Sequence, residues 1–158
     1  MKWSQGLAVL GVVLVGALLF GAYSAASAPL PEGFPSPTTD GKIDVKQYPA
    51  YRPAPVQVKG DLESASSRGF SPLFRNISDN GISMTAPVEA QYPAETLQAS
   101  AASQGDTAVS FLYRSLDIVP KEVEQAVQVE DTPPMTVVSF GVRGGYDYDI
   151  YTKGIEQL

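Results

Sequence analysis

The chain has 158 residues and a formal net charge of −6 at pH 7, a length that suits one domain and is short for two. Only 11 Lys and Arg stand against 17 Asp and Glu, which disfavours a nucleic-acid partner because clustered cations supply most of that affinity. Cysteine and histidine are absent, which excludes disulfides, thiolate metal sites, cofactor attachment through paired thiols, an imidazole base and histidine-ligated metal.

The N-terminus carries an uncharged apolar run over residues 7–23, preceded by Lys2 and followed by small residues up to Ala28. The run is longer than the ~7–15 residue core of a signal peptide and nearly as long as the ~17–25 residues that span a bilayer. Residues 1–28 are therefore predicted to be a cleaved signal peptide or an uncleaved membrane anchor. We expect an exported or membrane-anchored protein of the cell envelope, or a secreted one, and not a cytoplasmic protein.

Residues 29–41 carry four prolines, at positions 29, 31, 35 and 37. Proline lacks an amide donor and pushes the preceding residue toward extended backbone. The segment is predicted to be a semi-stiff linker, followed by one folded domain over residues 42–158.

Two early segments place apolar residues at every second position, which is typical of half-buried strands; they are Ile43 with Val45, and Val56 with Val58. Prolines lie between them and predict an irregular connection. The second strand is expected to end at Gly60.

A helix is predicted where apolar side chains follow at i, i+3, i+4 and i+7, and these are Phe70, Leu73, Phe74 and Ile77. Pro72 favours a short or kinked helix with Ser71 and Pro72 near its first turn. The Asp79-Asn80-Gly81 sequence is expected to end the helix.

The remaining chain predicts mainly strands. Residues 82–90 and 107–114 are rich in β-branched and aromatic residues, and further strands are expected from Val127 and over 136–142. A small, polar loop is expected over 93–106, and a short final helix through Tyr151, Ile155 and Leu158. The predicted fold class is α+β with mainly antiparallel pairing: one βαββ unit and the opening of a second.

Residues 69–88, GFSPLFRNISDNGISMTAPV, resemble the signature of the SOUL haem-binding family, in which an aromatic-rich helix and a turn precede an "MTAPV" strand. Three further segments resemble the family in order, at residues 43–52, 109–115 and 127–145. The resemblance implies a distorted antiparallel sheet or open barrel of βαββ units. It also implies non-covalent binding of haem or a related porphyrin in an apolar cleft beside the first helix. Family members usually continue past this chain's last residue, so we expect a truncated second unit, in a fragment or a genuine short form.

Some members of the family carry a histidine at the position of Gln47 and use it as an axial ligand to iron. An amide is a weak ligand beside imidazole. Binding here is therefore expected to rest on apolar contact with the porphyrin faces and on cations at the propionates. Tyr48 and Met84 are the nearby alternatives for iron coordination, and neither is favoured.

The predicted cofactor-binding residues are Arg68, Phe70, Leu73, Phe74, Arg75, Ile77 and Met84. Each has a structural alternative: core packing for the apolar stripe, solvated surface for the arginines and gap filling for Met84. No nucleophile–base pair or metal cluster is visible, so no catalysis is predicted. The alternatives to tetrapyrrole binding are an effector-binding module for another flat apolar molecule and a truncated, non-binding fragment.

Overall fold

Antiparallel pairing organises the chain into two sheets. The computed structural model describes residues 28–61, 64–92, 104–143 and 154–158. Its elements are β1 (Ile43–Tyr48), β2 (Pro53–Asp61), α1 (Ala65–Asp79), β3 (Glu89–Gln91), β4 (Gln104–Leu112) and β5 (Met135–Phe140). One sheet has the strand order β2-β4-β3 and the other pairs β1 with β5, all antiparallel. Within these residues no barrel closes, and the predicted α+β class is confirmed.

Helix α1 packs on one face of the three-stranded sheet, against β2 and β4. Val56 and Val109 are directly opposite each other in the register and face Gly69 of the helix. A Cβ atom at Gly69 would lie 3.0 Å from the Val109 Cβ and 3.2 Å from the Val56 Cγ1, so the close approach requires glycine. Around this contact the core gathers Ala54, Val58, Ala65, Leu73, Ile77, Val88, Phe111, Tyr113 and Val127.

The helix begins at Ala65 and Pro72 lies inside it, so the predicted start near Ser71 and Pro72 was wrong. The added first turns bury small side chains, Ala65 and Ser66, which contribute no large apolar period to the sequence. The predicted end was right, since the helix stops at Asp79 and Gly81 adopts a φ of +64°.

Residues 82–88 do not form the predicted strand, and β3 contains only three residues. The backbone partners of this stretch lie elsewhere: the Ala86 amide donates to the Pro29 carbonyl at 3.0 Å, and the Thr85 hydroxyl donates to the Leu112 carbonyl. Pro87, joined to Ala86 by a cis peptide bond, has no amide to offer a ladder.

The strand predicted from Val127 is present only as isolated bridges beside β2. Val127 pairs with Val56, and Thr132 with Tyr51. The Gln128 amide also donates to the Pro55 carbonyl at 2.9 Å. The predicted strands at 107–114 and 136–142 correspond to β4 and β5.

Residues 29–41, here called the strap, lie against the domain along their length. The Glu32 amide donates to the Arg114 carbonyl at 2.8 Å, and the Gly41 amide to the Gly141 carbonyl at 2.8 Å. The Phe34 ring stands edge-on to Tyr48 and Tyr51, with centroid distances of 4.9 and 5.2 Å. The proline-rich segment is thus docked, whereas the composition alone predicts a linker; the domain limits themselves stay a prediction.

The faces of β1 are opposite to those that its apolar pattern predicts. Ile43 and Val45 are 56% and 64% exposed, whereas Lys46 is 6% exposed. The Lys46 ammonium donates to the Ser36 carbonyl of the strap and lies 3.6 Å from a carboxylate oxygen of Asp44. Tertiary hydrogen bonds therefore decide which face turns inward.

Within the part of the chain that the structure describes, no helix is long and apolar enough to cross a membrane. The apolar run at 7–23 and most of the predicted 93–106 loop fall outside those residues. So does Tyr151 of the predicted final helix, while 154–158 form a short helical turn with a hydrogen bond from the Gln157 amide to the Gly154 carbonyl.

Candidate functional site

The exposed margin of α1 presents a flat aromatic surface. The rings of Phe70 and Phe74 stack with centroids 5.7 Å apart and planes 11° from parallel. Phe70 also meets Phe111 of β4 edge-on, at 5.4 Å, which connects the pair to the core. Phe74 is 49% exposed. The spacing of four residues places both rings one above the other on the same side of the helix.

The other two members of the predicted apolar stripe belong to the core. Leu73 is fully buried and Ile77 is 4% exposed. Both contribute to the cluster between α1 and the sheet. They support the two phenylalanines from beneath, and the structure does not expose them at the surface.

Arg68 and Arg75 point to another side of α1. At 3.6 residues per turn they lie roughly 100–160° around the helix axis from Phe70 and Phe74. The Arg68 guanidinium donates to the carbonyls of Lys59 and Asp61, each at 2.6 Å. The Arg75 guanidinium lies 3.2 Å from a carboxylate oxygen of Glu124. The structure therefore places Arg68 on backbone carbonyls and Arg75 on the Glu124 carboxylate, and it brings neither arginine together with the aromatic pair.

Two asparagines bind the loop after β4 to the helix. The buried Asn76 amide donates to the Tyr113 hydroxyl at 3.0 Å and accepts from the Glu124 amide at 3.1 Å. The Asn80 side chain accepts from the Lys121 amide at 2.7 Å and donates to the Glu122 carbonyl at 2.6 Å. This loop covers the Arg75 side of α1 and does not cover the Phe74 side.

The candidate iron ligands are dispersed. Met84 is half-buried and packs against the core. Gln47 is exposed on β1, opposite Thr136, while Tyr48 points inward, where burial and the nearby Glu89 raise its pKa. Among the described residues no three acidic side chains converge as a metal site, and the whole chain has no histidine or cysteine.

A family model for SOUL heme-binding protein matches residues 35–158. The chain belongs to the SOUL haem-binding family. The match runs from within the strap to the last residue and includes every described helix and strand, so the predicted family is confirmed. A search of curated proteins found no match.

Haem fits this SOUL-family chain in one respect and not in another. Phe70 and Phe74 suit the flat apolar face of a porphyrin, since aromatic rings pack well in offset stacks. The donor set suits a protein–iron bond poorly, because imidazole and thiolate are absent and the remaining candidates, Tyr48 and Met84, are both half-buried. The assignment of individual residues to the site stays a prediction.

A separate pocket of about 300 Å³ lies at the strap end of the SOUL-family domain. Pro31, Tyr51, Tyr113, Arg114 and Asp117 contribute to its lining, and α1 contributes nothing to it. The volume is at the small end of the range of roughly 300–1,000 Å³ for ligand pockets. It is therefore small for a large planar macrocycle.

Sequence reasoning missed Glu89, which is only 2% exposed. The Tyr51 hydroxyl donates to its Oε2 at 3.3 Å, and the Gln91 amide donates to its Oε1. Burial raises the pKa of the Glu89 carboxyl, and the two hydrogen bonds partly oppose that effect. The only sign of this buried carboxyl in the sequence is a single acidic residue between Val88 and Ala90, in an otherwise apolar run.

Proposed function

We propose that this SOUL-family protein binds haem or a related porphyrin non-covalently, through apolar contact with the Phe70–Phe74 surface, without an iron–histidine bond and without catalysis. The observation that carries the proposal is the Phe74 ring, 49% exposed and stacked on Phe70. Membership of a haem-binding family supports it.

The affinity at this surface comes mainly from covering exposed aromatic area. Burying apolar surface contributes about 25 cal/mol per Å², so covering the exposed half of a phenylalanine contributes on the order of 1 kcal/mol. Phe70 does not have to move, because Phe111 already holds it edge-on. The aromatic pair is therefore pre-organised for a planar ligand.

Of the two arginines, Arg75 is the better candidate for propionate contact. Its side chain is 54% exposed, and its guanidinium pairs only with Glu124 in the described residues. Exposed ion pairs contribute little, about 0–1 kcal/mol. Exchanging Glu124 for a propionate is thus inexpensive. Arg68 would have to give up two carbonyl partners on β2.

Hemin titration followed at the Soret band tests the proposal, with the full chain held in a fixed concentration of non-ionic detergent. Phe74→Ala is expected to weaken hemin binding about tenfold, since 1.4 kcal/mol corresponds to that factor. Ile43→Ala is the matched control, because Ile43 is a similarly exposed apolar residue, on β1. Arg75→Glu is expected to weaken binding as well.

Equal hemin affinities for the wild type and Phe74→Ala would remove the α1 margin from the site. Failure of hemin alone, with other planar molecules still bound and sensitive to Phe74→Ala, would instead indicate an effector-binding module.

The protein is further proposed to be exported or membrane-anchored through residues 1–28. The uncharged run at 7–23 supports this. Cell fractionation with N-terminal sequencing tests it: a new N-terminus at residue 29 or an intact chain in the membrane fraction would agree. An intact chain in the soluble cytoplasmic fraction would contradict the proposal.

A further inference from the structure

Glu89 lies on the face of the three-stranded sheet that points away from α1. Its neighbour Ala90 pairs with Val109, which faces the helix through Gly69. Successive strand residues point to opposite faces, so Glu89 and the directly opposite Ser110 point to the other side. The carboxyl is buried there, at 2% exposure.

Among the described residues, the groups that the structure places at this carboxyl are uncharged. Tyr51 and Gln91 donate hydrogen bonds to it, Tyr48 of β1 is near enough for the carboxylate to raise the tyrosine pKa, and β4 contributes the uncharged Ser110. β1 also turns Lys46 inward, but that ammonium binds the Ser36 carbonyl and Asp44. No ion pair among the described residues involves Glu89.

The same two tyrosines hold the strap. Phe34 stands edge-on to both rings, at interplanar angles of 82° and 86°. The strap is also bonded near Glu89 along the chain, since the Ala86 amide donates to the Pro29 carbonyl. Glu89, Tyr51 and Phe34 of the strap therefore form one continuous set of contacts.

We propose that Glu89 is a proton-operated latch for the strap: the protonated carboxyl stabilises the docked strap, and ionisation loosens it. The latch does not depend on tetrapyrrole binding and concerns the ligand-free protein. It also provides a way to open the strap side of the 300 Å³ pocket, which Pro31 and Glu32 help to line.

The physical reason is the high free-energy cost of burying a carboxylate without a cationic partner. Burial raises the pKa of Glu89 above its ordinary value, so the folded, docked state holds the proton more tightly than the unfolded state, and more tightly than an undocked state in which water reaches the carboxyl. The stabilisation is complete below the ordinary pKa of a glutamate, and it is lost as pH rises through the raised value. The strap is thus held more firmly in mild acid than at alkaline pH.

Hydrogen–deuterium exchange of peptides from the strap, measured on the full chain in detergent, tests the latch. Wild type and Glu89→Gln are compared at the same pH, which cancels the chemical pH dependence of exchange. The two chains should exchange alike near pH 5. Near pH 8 the wild-type strap should exchange faster, by about tenfold for each unit by which docking raises the Glu89 pKa.

Glu122→Gln is the matched control, since Glu122 is an exposed glutamate, and it should behave as the wild type does. Tyr51→Phe removes a hydrogen bond that lowers the Glu89 pKa, so it should move the change in exchange to higher pH. This second variant carries the test if Glu89→Gln does not fold, as judged by circular dichroism. Strap exchange that is the same in wild type and Glu89→Gln at both pH values, or a transition that Tyr51→Phe leaves unmoved, would overturn the latch.

Discussion

The two faces of the β2-β4-β3 sheet are built on different physical principles. On one face, Val56 and Val109 pack directly against Gly69 of α1. On the other face, Glu89 is buried and accepts a hydrogen bond from Tyr51. The first face draws its stability from apolar contact, which is insensitive to pH, and the second from hydrogen bonds to a titratable group. One sheet thus combines a stable scaffold with a contact that, under the proposed latch, loosens when Glu89 loses its proton.

The face of the sheet that packs against α1 is here called the helix face, and the opposite face, with Glu89 and Tyr51, the strap face. Packing on the helix face also makes the proposed ligand surface rigid. Leu73 anchors α1 in the core, and Phe74, the next residue, points toward solvent on the same helix. A binding surface placed on a packed helix is held more accurately than one on a loop. The aromatic pair can therefore offer an ordered plane without a cleft that closes around the ligand.

The largest expected effect is on the helix face. Leu73→Ala removes a fully buried side chain, and the lost contacts together with the cavity should lower the free energy of unfolding by about 3 kcal/mol. Urea denaturation followed by circular dichroism measures it. The neighbouring change Phe74→Ala should cost less than about 1 kcal/mol, because that ring is half exposed. Equal losses for the two variants would mean that α1 is not anchored through Leu73.

A smaller effect is expected on the strap face. Phe34→Ala removes a half-buried ring that meets two tyrosines edge-on, so the free energy of unfolding should fall by about 2 kcal/mol. The same denaturation experiment measures it, with Val119→Ala as the control because Val119 is 73% exposed. A loss as small as that of the control would show that the strap adds nothing to the domain.

The sequence predicted the helix face better than the strap face. The reason is that local periodicity identifies the helix face, whereas contacts between residues distant in the sequence determine the strap face. The spacing of Leu73 and Ile77 reports a local property of a helix, its period, and both residues are in the core. The inward direction of Lys46 depends on the Ser36 carbonyl, which no period records. Strand alternation identified β1 as a strand, but the face that it predicted to turn inward, with Ile43 and Val45, is the exposed one.

The candidate site shows the same contrast between local patterns, which the sequence reveals, and tertiary contacts, which it does not. Periodicity placed Phe70 and Phe74 on one side of a helix, which the stacked rings confirm. The same stripe does not reveal that the loop bonded to Asn76 and Asn80 covers the Arg75 side. Glu89 was missed because a single acid in an apolar strand carries no sign of its partners, which come from Tyr51 and Gln91.

The smallest expected effect is that of a histidine introduced on β1. It tests whether haem binds at the exposed margin of α1 or on the β1–β5 pair. Gln47 is exposed on β1 and pairs with Thr136, whereas α1 packs on β2 and β4. Gln47→His should therefore leave the Soret position and the hemin affinity of the protein unchanged, although imidazole is a good ligand for haem iron. Thr136→His changes the residue directly opposite, on the same face of the pair, and should be equally silent. A low-spin, red-shifted Soret band in either variant would place the porphyrin on the β1–β5 pair, because only a haem within reach of these two positions can gain an iron bond there.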